Sequence, residues 1–217
     1  MVATRVVICG DSIEWLKNRK TKIKGSVFIG IPDMSDININ DVDEYYEYIE
    51  EILDLISERI KNNEFLVLIM TSRYYNGRFV DKAARSINRC SENSINLVSR
   101  KVIFNNYNYK DPAANSKFLE FSDLLIFRKK NTDLYLTKYM YNDIFYTKSK
   151  KLWSYGFHLD ITDNIIILLK KNGVSHISDF FVGIGTTLAV AEKNGLDSFG
   201  IEIDQKLCDE AKKLVIK

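Results

Sequence analysis

The sequence predicts an α/β protein built on one doubly wound sheet, mostly parallel, with one antiparallel hairpin. Three observations carry that prediction. Apolar runs of strand length alternate with segments of helical period along most of the 217 residues. Phe65-Leu66-Val67-Leu68-Ile69-Met70 is apolar throughout, as expected of a strand covered on both faces by helices. Near the end, Gly183-Ile184-Gly185 stands between a strand and a helix, where glycines let the backbone turn sharply and approach a ligand.

Taken in order, Val6-Val7-Ile8-Cys9 reads as a short strand closed by Gly10-Asp11. Ile13, Trp15 and Leu16 mark a short helix running into the basic loop 17–22. A second strand, Ser26 to Ile31, is stopped by Pro32-Asp33. Between Val42 and Ile60, Tyr45, Ile49, Ile52, Leu53 and Ile56 recur at helical spacing, and Glu44, Glu47, Glu50 and Glu51 face water. After the strand Phe65–Met70, Val80 to Asn93 reads as a helix with Ala83, Ala84, Ile87 and Cys90 inward. Strands Asn96–Phe104 and Glu120–Arg128 follow, joined by a hairpin loop, 105–118, that includes Asp111-Pro112. The Tyr-rich connection 131–158 shows no assignable period. A helix from Ile161 to Lys171 leads to the strand Val174–Ser178, the glycine turn, and a helix opened by Leu188-Ala189-Val190-Ala191. A strand from Ser198 to Ile203 and a helix from Gln205 to Val215 come last.

Composition sets bounds. A chain of this length with 46 % hydrophobic residues suits one domain with a sizeable core. A variable connection over 131–158 separates 1–130 from 159–217. No run approaches a membrane span and no basic, apolar leader is present, so the expectation is an intracellular protein, cytoplasmic or nuclear, with no membrane partner. Cys9, Cys90 and Cys208 are odd in number and far apart, which fits a reducing compartment. Neither His158 nor His176 has a partner at ligand spacing, so no metal site is expected. A net charge of +2 does not by itself require a nucleic-acid partner.

The sharpest local pattern is Asp179-Phe180-Phe181-Val182-Gly183-Ile184-Gly185-Thr186-Thr187 followed by Gly200-Ile201-Glu202-Ile203-Asp204. An acidic residue at the end of the next strand, about twenty residues beyond the turn, can accept hydrogen bonds from the hydroxyls of a ribose. A nicotinamide fingerprint fits less well, because its third glycine would fall where this chain has Leu188. The stretch resembles the cofactor signature of S-adenosylmethionine-dependent methyltransferases, and most closely the amino-methyltransferases of nucleic acids, with Phe180 where a proline is usual. That resemblance implies a Rossmann-like methyltransferase sheet that begins with the cofactor strand. Here this strand is the sixth predicted in sequence, and Val6–Asp11 would follow the last one if the ends were joined, so a cyclic permutation is expected.

The resemblance also implies roles, with a catalytic and substrate half over 1–130 and a cofactor half over 159–217. Asp179 would face the methionine amino group of S-adenosylmethionine, with Phe180, Phe181, Gly183, Gly185, Thr186 and Thr187 around it, Glu202 at the ribose, and Ile203 and Gly30 also among the cofactor-binding residues. Gly10 and Asp11 would lie by the adenine, although Asp11 reads equally as a helix N-cap. Gly30-Ile31-Pro32-Asp33 stands where such enzymes carry the loop that holds the target amine, but the polar first residue is Gly30 and the aromatic is Asp33. Pro32, Asp33 and Asp36 are therefore the catalytic candidates, the carboxylates as base or amine acceptor, against a capped turn. The same Pro-Asp-x-Ser and the stretch Gly77-Arg78-Phe79-Val80-Asp81-Lys82 resemble an uncharacterised group of permuted methyltransferases. Arg73, Tyr74, Arg78 and Trp153 are substrate-binding candidates, basic and aromatic residues able to pair with phosphate and stack on a base. Little chain is spare for reading long DNA sites, so RNA, tRNA included, is expected ahead of DNA, with room for a protein partner or a homodimer. The rival is a non-catalytic subunit of the same fold that binds RNA or scaffolds a methyltransferase complex.

Overall fold

The structure, a computed structural model, describes residues 3–104, 121–129, 142–147, 151–153 and 156–216. The strands are β1 (Arg5–Cys9), β2 (Ser26–Gly30), β3 (Phe65–Met70), β4 (Arg73–Tyr75), β5 (Arg78–Val80), β6 (Asn96–Phe104), β7 (Phe121–Arg128), β8 (Ile144–Tyr146), β9 (His176–Asp179) and β10 (Asp197–Glu202). The helices are α1 (Ser12–Asn18), α2 (Val42–Arg59), α3 (Lys82–Glu92), α4 (Leu159–Lys171), α5 (Thr186–Lys193) and α6 (Gln205–Lys213). One eight-stranded sheet runs in the order β1-β10-β9-β2-β3-β7-β6-β8. Strands β1, β10, β9, β2 and β3 are mutually parallel, and β7 lies antiparallel to both β3 and β6. The predicted doubly wound α/β architecture and its late hairpin are therefore present.

Strand alternation builds a core on each face. On β2 and β3, Val27, Ile29, Leu66, Leu68 and Met70 point to the layer of α1, α2 and α3, where they meet Leu16, Ile49, Ile52, Leu53 and Ile56. Phe28, Phe65, Val67 and Ile69 point the other way, to Ile161, Ile165, Ile166 and Leu169 of α4 and to Val190 of α5. Helix α2 starts where Asp41 accepts from the backbone N–H of Asp43 and Glu44, both at 2.9 Å. No helix among the described residues is long and apolar enough to cross a membrane.

Several boundaries move for physical reasons. The helix expected from Val80 begins instead at Lys82, because Arg78–Val80 pairs with Arg73–Tyr75 across an Asn76-Gly77 turn. Both turn residues have positive φ, 48° and 78°, the backbone that suits a two-residue hairpin. The glycine-turn helix starts at Thr186 rather than Leu188, and its strand is shifted to His176–Asp179, which puts Asp179 at the strand's last position. The unassigned connection contributes β8, parallel to β6 at the sheet edge. The expected loop 105–118 and most of 131–158 lie outside the described residues.

Candidate functional site

The winding of the sheet fixes where a crevice must open. From β9 the chain passes through α5 to β10 on one side; from β2 it passes through α2 to β3 on the other. Neighbouring parallel strands whose connections leave in opposite directions part at their carboxyl ends, and ligands bind in that gap. The turn after β9 forms one wall and the loop after β2 the other.

On the β9 wall, Asp179 is 2 % exposed and accepts from the backbone N–H of Phe181 at 3.0 Å. Burial pushes its carboxyl up to about 7, against the lowering effect of hydrogen bonds from Phe181 and the Thr187 side chain. The chain then turns through Gly183 and Gly185 at φ 55° and 89°. A Cβ on Gly185 would sit 2.8 Å from Ala211, and one on Gly183 would sit 2.8 Å from the Trp153 ring, so both positions require glycine. Glu202 ties the turn to the end of β10, its two oxygens accepting from Gly183 N–H at 2.7 Å and Asp204 N–H at 3.0 Å. The buried Thr186 hydroxyl has no hydrogen-bond partner among the described residues. Beside Glu202, Ile203 is 69 % exposed, an apolar surface at the mouth of the crevice. Gly10 donates to the Glu202 carbonyl at 2.9 Å, and nothing lies within 4 Å of where its Cβ would be. Asp11 is exposed and caps α1, accepting from Ile13 and Glu14 N–H at 2.7 and 2.9 Å. Phe180 differs from expectation. Its ring is fully buried against Trp15, and only its backbone faces the turn, where the carbonyl accepts from the Ser12 hydroxyl.

The β2 wall is built from side-chain charges. Gly30 ends the strand, and a Cβ there would lie 2.7 Å from the Phe157 ring, which stacks on Phe28. The Pro32 carbonyl accepts from Tyr45 OH at 2.5 Å. Asp33 donates its N–H to Asp36 at 3.0 Å, and its carboxylate takes Lys82 on one oxygen and Arg73 on the other. Lys82 is 2 % exposed, and burial lowers its ammonium below the usual lysine range despite Asp33. The sequence reading did not select Lys82. The available signal was a lysine in the first helical turn, where the helix dipole disfavours a cation and a carboxylate partner is needed.

The substrate candidates are dispersed. Arg73 is turned inward onto Asp33 rather than offered at the rim. Arg78 pairs with Asp43 at 2.8 Å and lies over the Tyr46 ring. Tyr74 is 49 % exposed and packs on Phe79, itself 40 % exposed, on the β4–β5 hairpin. Trp153 stands against the glycine turn after β9, at Gly183, and not with the other three. Among the described residues no group of three or more His, Cys, Asp or Glu could hold a metal ion.

Residues 165–213, which include Asp179, the glycine turn and Glu202, match a protein family described as DNA methylase. No curated protein matches the chain significantly. Among solved structures, a candidate DNA modification methylase from Thermus thermophilus, complexed with S-adenosyl-L-methionine, superposes with a TM-score of 0.75 at 17 % identity, over 97 % of this chain and 92 % of that one. The cytosine-N4-specific PvuII DNA methyltransferase gives 0.75 at 14 % identity, over 98 % of this chain and 86 % of that one. The M1.HpyAVI–SAM complex gives 0.66 at 16 % identity, over 97 % and 98 %. At these identities the likeness establishes the fold: the chain has the Rossmann-like fold of DNA methyltransferases over nearly its whole length.

Proposed function

We propose that the protein is an S-adenosylmethionine-dependent methyltransferase that acts on an exocyclic amine of a DNA base. The observation that carries this reading is the β9 wall: a buried carboxylate, a turn that requires glycine at Gly183 and Gly185, and a strand-end glutamate lie together at the carboxyl ends of β9 and β10, within the stretch that matches the DNA methylase family. The residues fit the cofactor. Asp179 would take its ammonium group, Glu202 retains lone pairs for ribose hydroxyls, and Ile203 offers an apolar face for the adenine with Gly10 and Asp11 at its edge. The unpartnered Thr186 hydroxyl lies at the same turn. The chain order supports a cyclic permutation, since the cofactor strand β9 comes late in sequence and β1 pairs with β10.

Bound there, the cofactor supplies an electrophilic methyl group on a sulfonium. The protein's part is to hold the acceptor in line, so that the nitrogen–carbon bond forms as the carbon–sulfur bond breaks, sulfur keeps the electron pair and the amine loses a proton. Asp33 is engaged by two cations, Lys82 and Arg73, and its contribution is to fix the loop with Pro32 and Asp36. Support for DNA over the RNA expectation comes from the matched family and the structural likenesses. One observation favours the non-catalytic rival: Phe157 fills the space beside Gly30 where a polar side chain would otherwise reach the amine.

The test is methyl transfer from tritiated S-adenosylmethionine to unmethylated DNA, tRNA and protein in parallel. Label in DNA that falls with Glu202→Ala at sub-saturating cofactor is the expected result. Label confined to tRNA or protein would overturn the substrate, and cofactor binding without transfer to any fraction would favour the scaffold.

A further inference from the structure

Lys82 occupies a position that costs stability twice. Its ammonium is removed from water, at 2 % exposure, and it stands in the first turn of α3, where the positive end of the helix dipole opposes a cation. A methionine of similar length would avoid both penalties. The backbone around it is firmly set, with Asp81 capping α3 through Ala84 N–H at 2.9 Å and Lys82 N–H donating to the Ser72 hydroxyl at 3.2 Å. What the charge obtains among the described residues is one salt bridge, to Asp33, which lies 49 residues earlier in sequence at the end of the β2 wall. The charged groups that face it are Asp33, Arg73 and Asp36. The Asp33 carboxylate thereby spans two elements, Lys82 on α3 and Arg73 on β4, while its own N–H is held by Asp36. The loop from Gly30 to Asp36 is pinned at Asp33 by charge and at Pro32 by Tyr45.

We infer that Lys82 is a positioning residue for methyl transfer: through Asp33 it fixes the loop after β2, replacing the positional control lost with a side chain at Gly30. This rests on the methyltransferase reading above. Glycine at the head of the loop can offer the amine no more than its main-chain carbonyl, and a main-chain acceptor is only as well placed as the loop that carries it. Misplacement by about 1 Å costs on the order of 100-fold in rate.

The test is Lys82→Met, which leaves Arg73 to pair Asp33. The expected result is an unchanged or raised melting temperature and a cofactor Kd within about threefold of wild type. Transfer to unmethylated DNA should fall about 100-fold in kcat, and amide hydrogen exchange should quicken across 30–36. Wild-type kcat together with wild-type exchange would overturn the inference. Should Lys82→Met fail to fold, the double variant Asp33→Asn/Lys82→Met removes both charges; it is expected to fold and to stay slow, and recovery of kcat would overturn the proposal. If the wild type binds the cofactor but transfers nothing to DNA, the substrate reading fails, and exchange across 30–36 in Lys82→Met still decides whether Lys82 pins the loop.

Discussion

The two walls of the crevice are made of different materials. The β9 wall is defined by backbone: positive-φ glycines, a neighbouring strand end, and a carboxylate that accepts from main-chain N–H groups. The β2 wall is defined by long-range charge pairing, with Asp33 held from α3 and β4. Backbone geometry tolerates few residue types, so the first wall keeps a recognisable wording. Charge pairing can be satisfied from many positions, so the second wall can change its wording and still place its loop. The difference teaches where each wall should be vulnerable, the first to added bulk and the second to lost charge.

The largest effect should come from Gly185→Val, which asks a β-branched residue to adopt φ 89° and to overlap Ala211. Strain and overpacking together should cost about 3 kcal/mol or more, read by urea denaturation, and cofactor binding should disappear. Next, Asp33→Asn should reduce methyl transfer about 100-fold while leaving cofactor affinity within about twofold, which separates the two walls by kcat against Kd. Glu202→Ala should do the reverse. It removes the acceptor of two main-chain N–H groups, and calorimetry should show cofactor affinity weaker by about 30-fold. An equal loss of affinity in both variants would remove the distinction.

Smaller effects follow from titration. Asp179 must be ionised to meet an ammonium, and its carboxyl titrates at about 7, so cofactor affinity should be about tenfold weaker at pH 6 than at pH 8, a dependence that Asp179→Asn abolishes. The smallest effect concerns stability. The raised Asp179 value means that the folded state holds a proton the unfolded chain releases, so its contribution is lost as pH rises from about 4 to about 7. His176 is driven down to about 4 by burial, so its contribution is lost as pH falls from about 6.5 to about 4. The two slopes oppose each other over that window. His176→Phe should unmask the Asp179 slope, with stability declining as pH rises, as measured by urea denaturation at stepped pH.

Much of this molecule was legible as sequence, and for identifiable reasons. The wholly apolar run at Phe65–Met70 marked a covered strand, and Gly183-Ile184-Gly185 with Glu202 at the next strand's end marked a tight strand-to-helix turn. The β4–β5 hairpin was overlooked although Asn76-Gly77 announces it, because helical spacing just beyond drew Val80 into the helix. The fully buried ring of Phe180 shows the limit of motif reading, since a motif position can serve by backbone alone. Lys82 was out of reach for another reason. Its partner is 49 residues away, and no local period or spacing encodes a salt bridge across that distance.

The most direct measurement of the central claim is titration calorimetry of S-adenosylmethionine into the wild-type protein and Glu202→Ala at pH 8. A saturable heat with one cofactor per chain, much weakened in the variant, is the result the crevice predicts. No binding by the wild type, or binding that Glu202→Ala leaves unchanged, would contradict it.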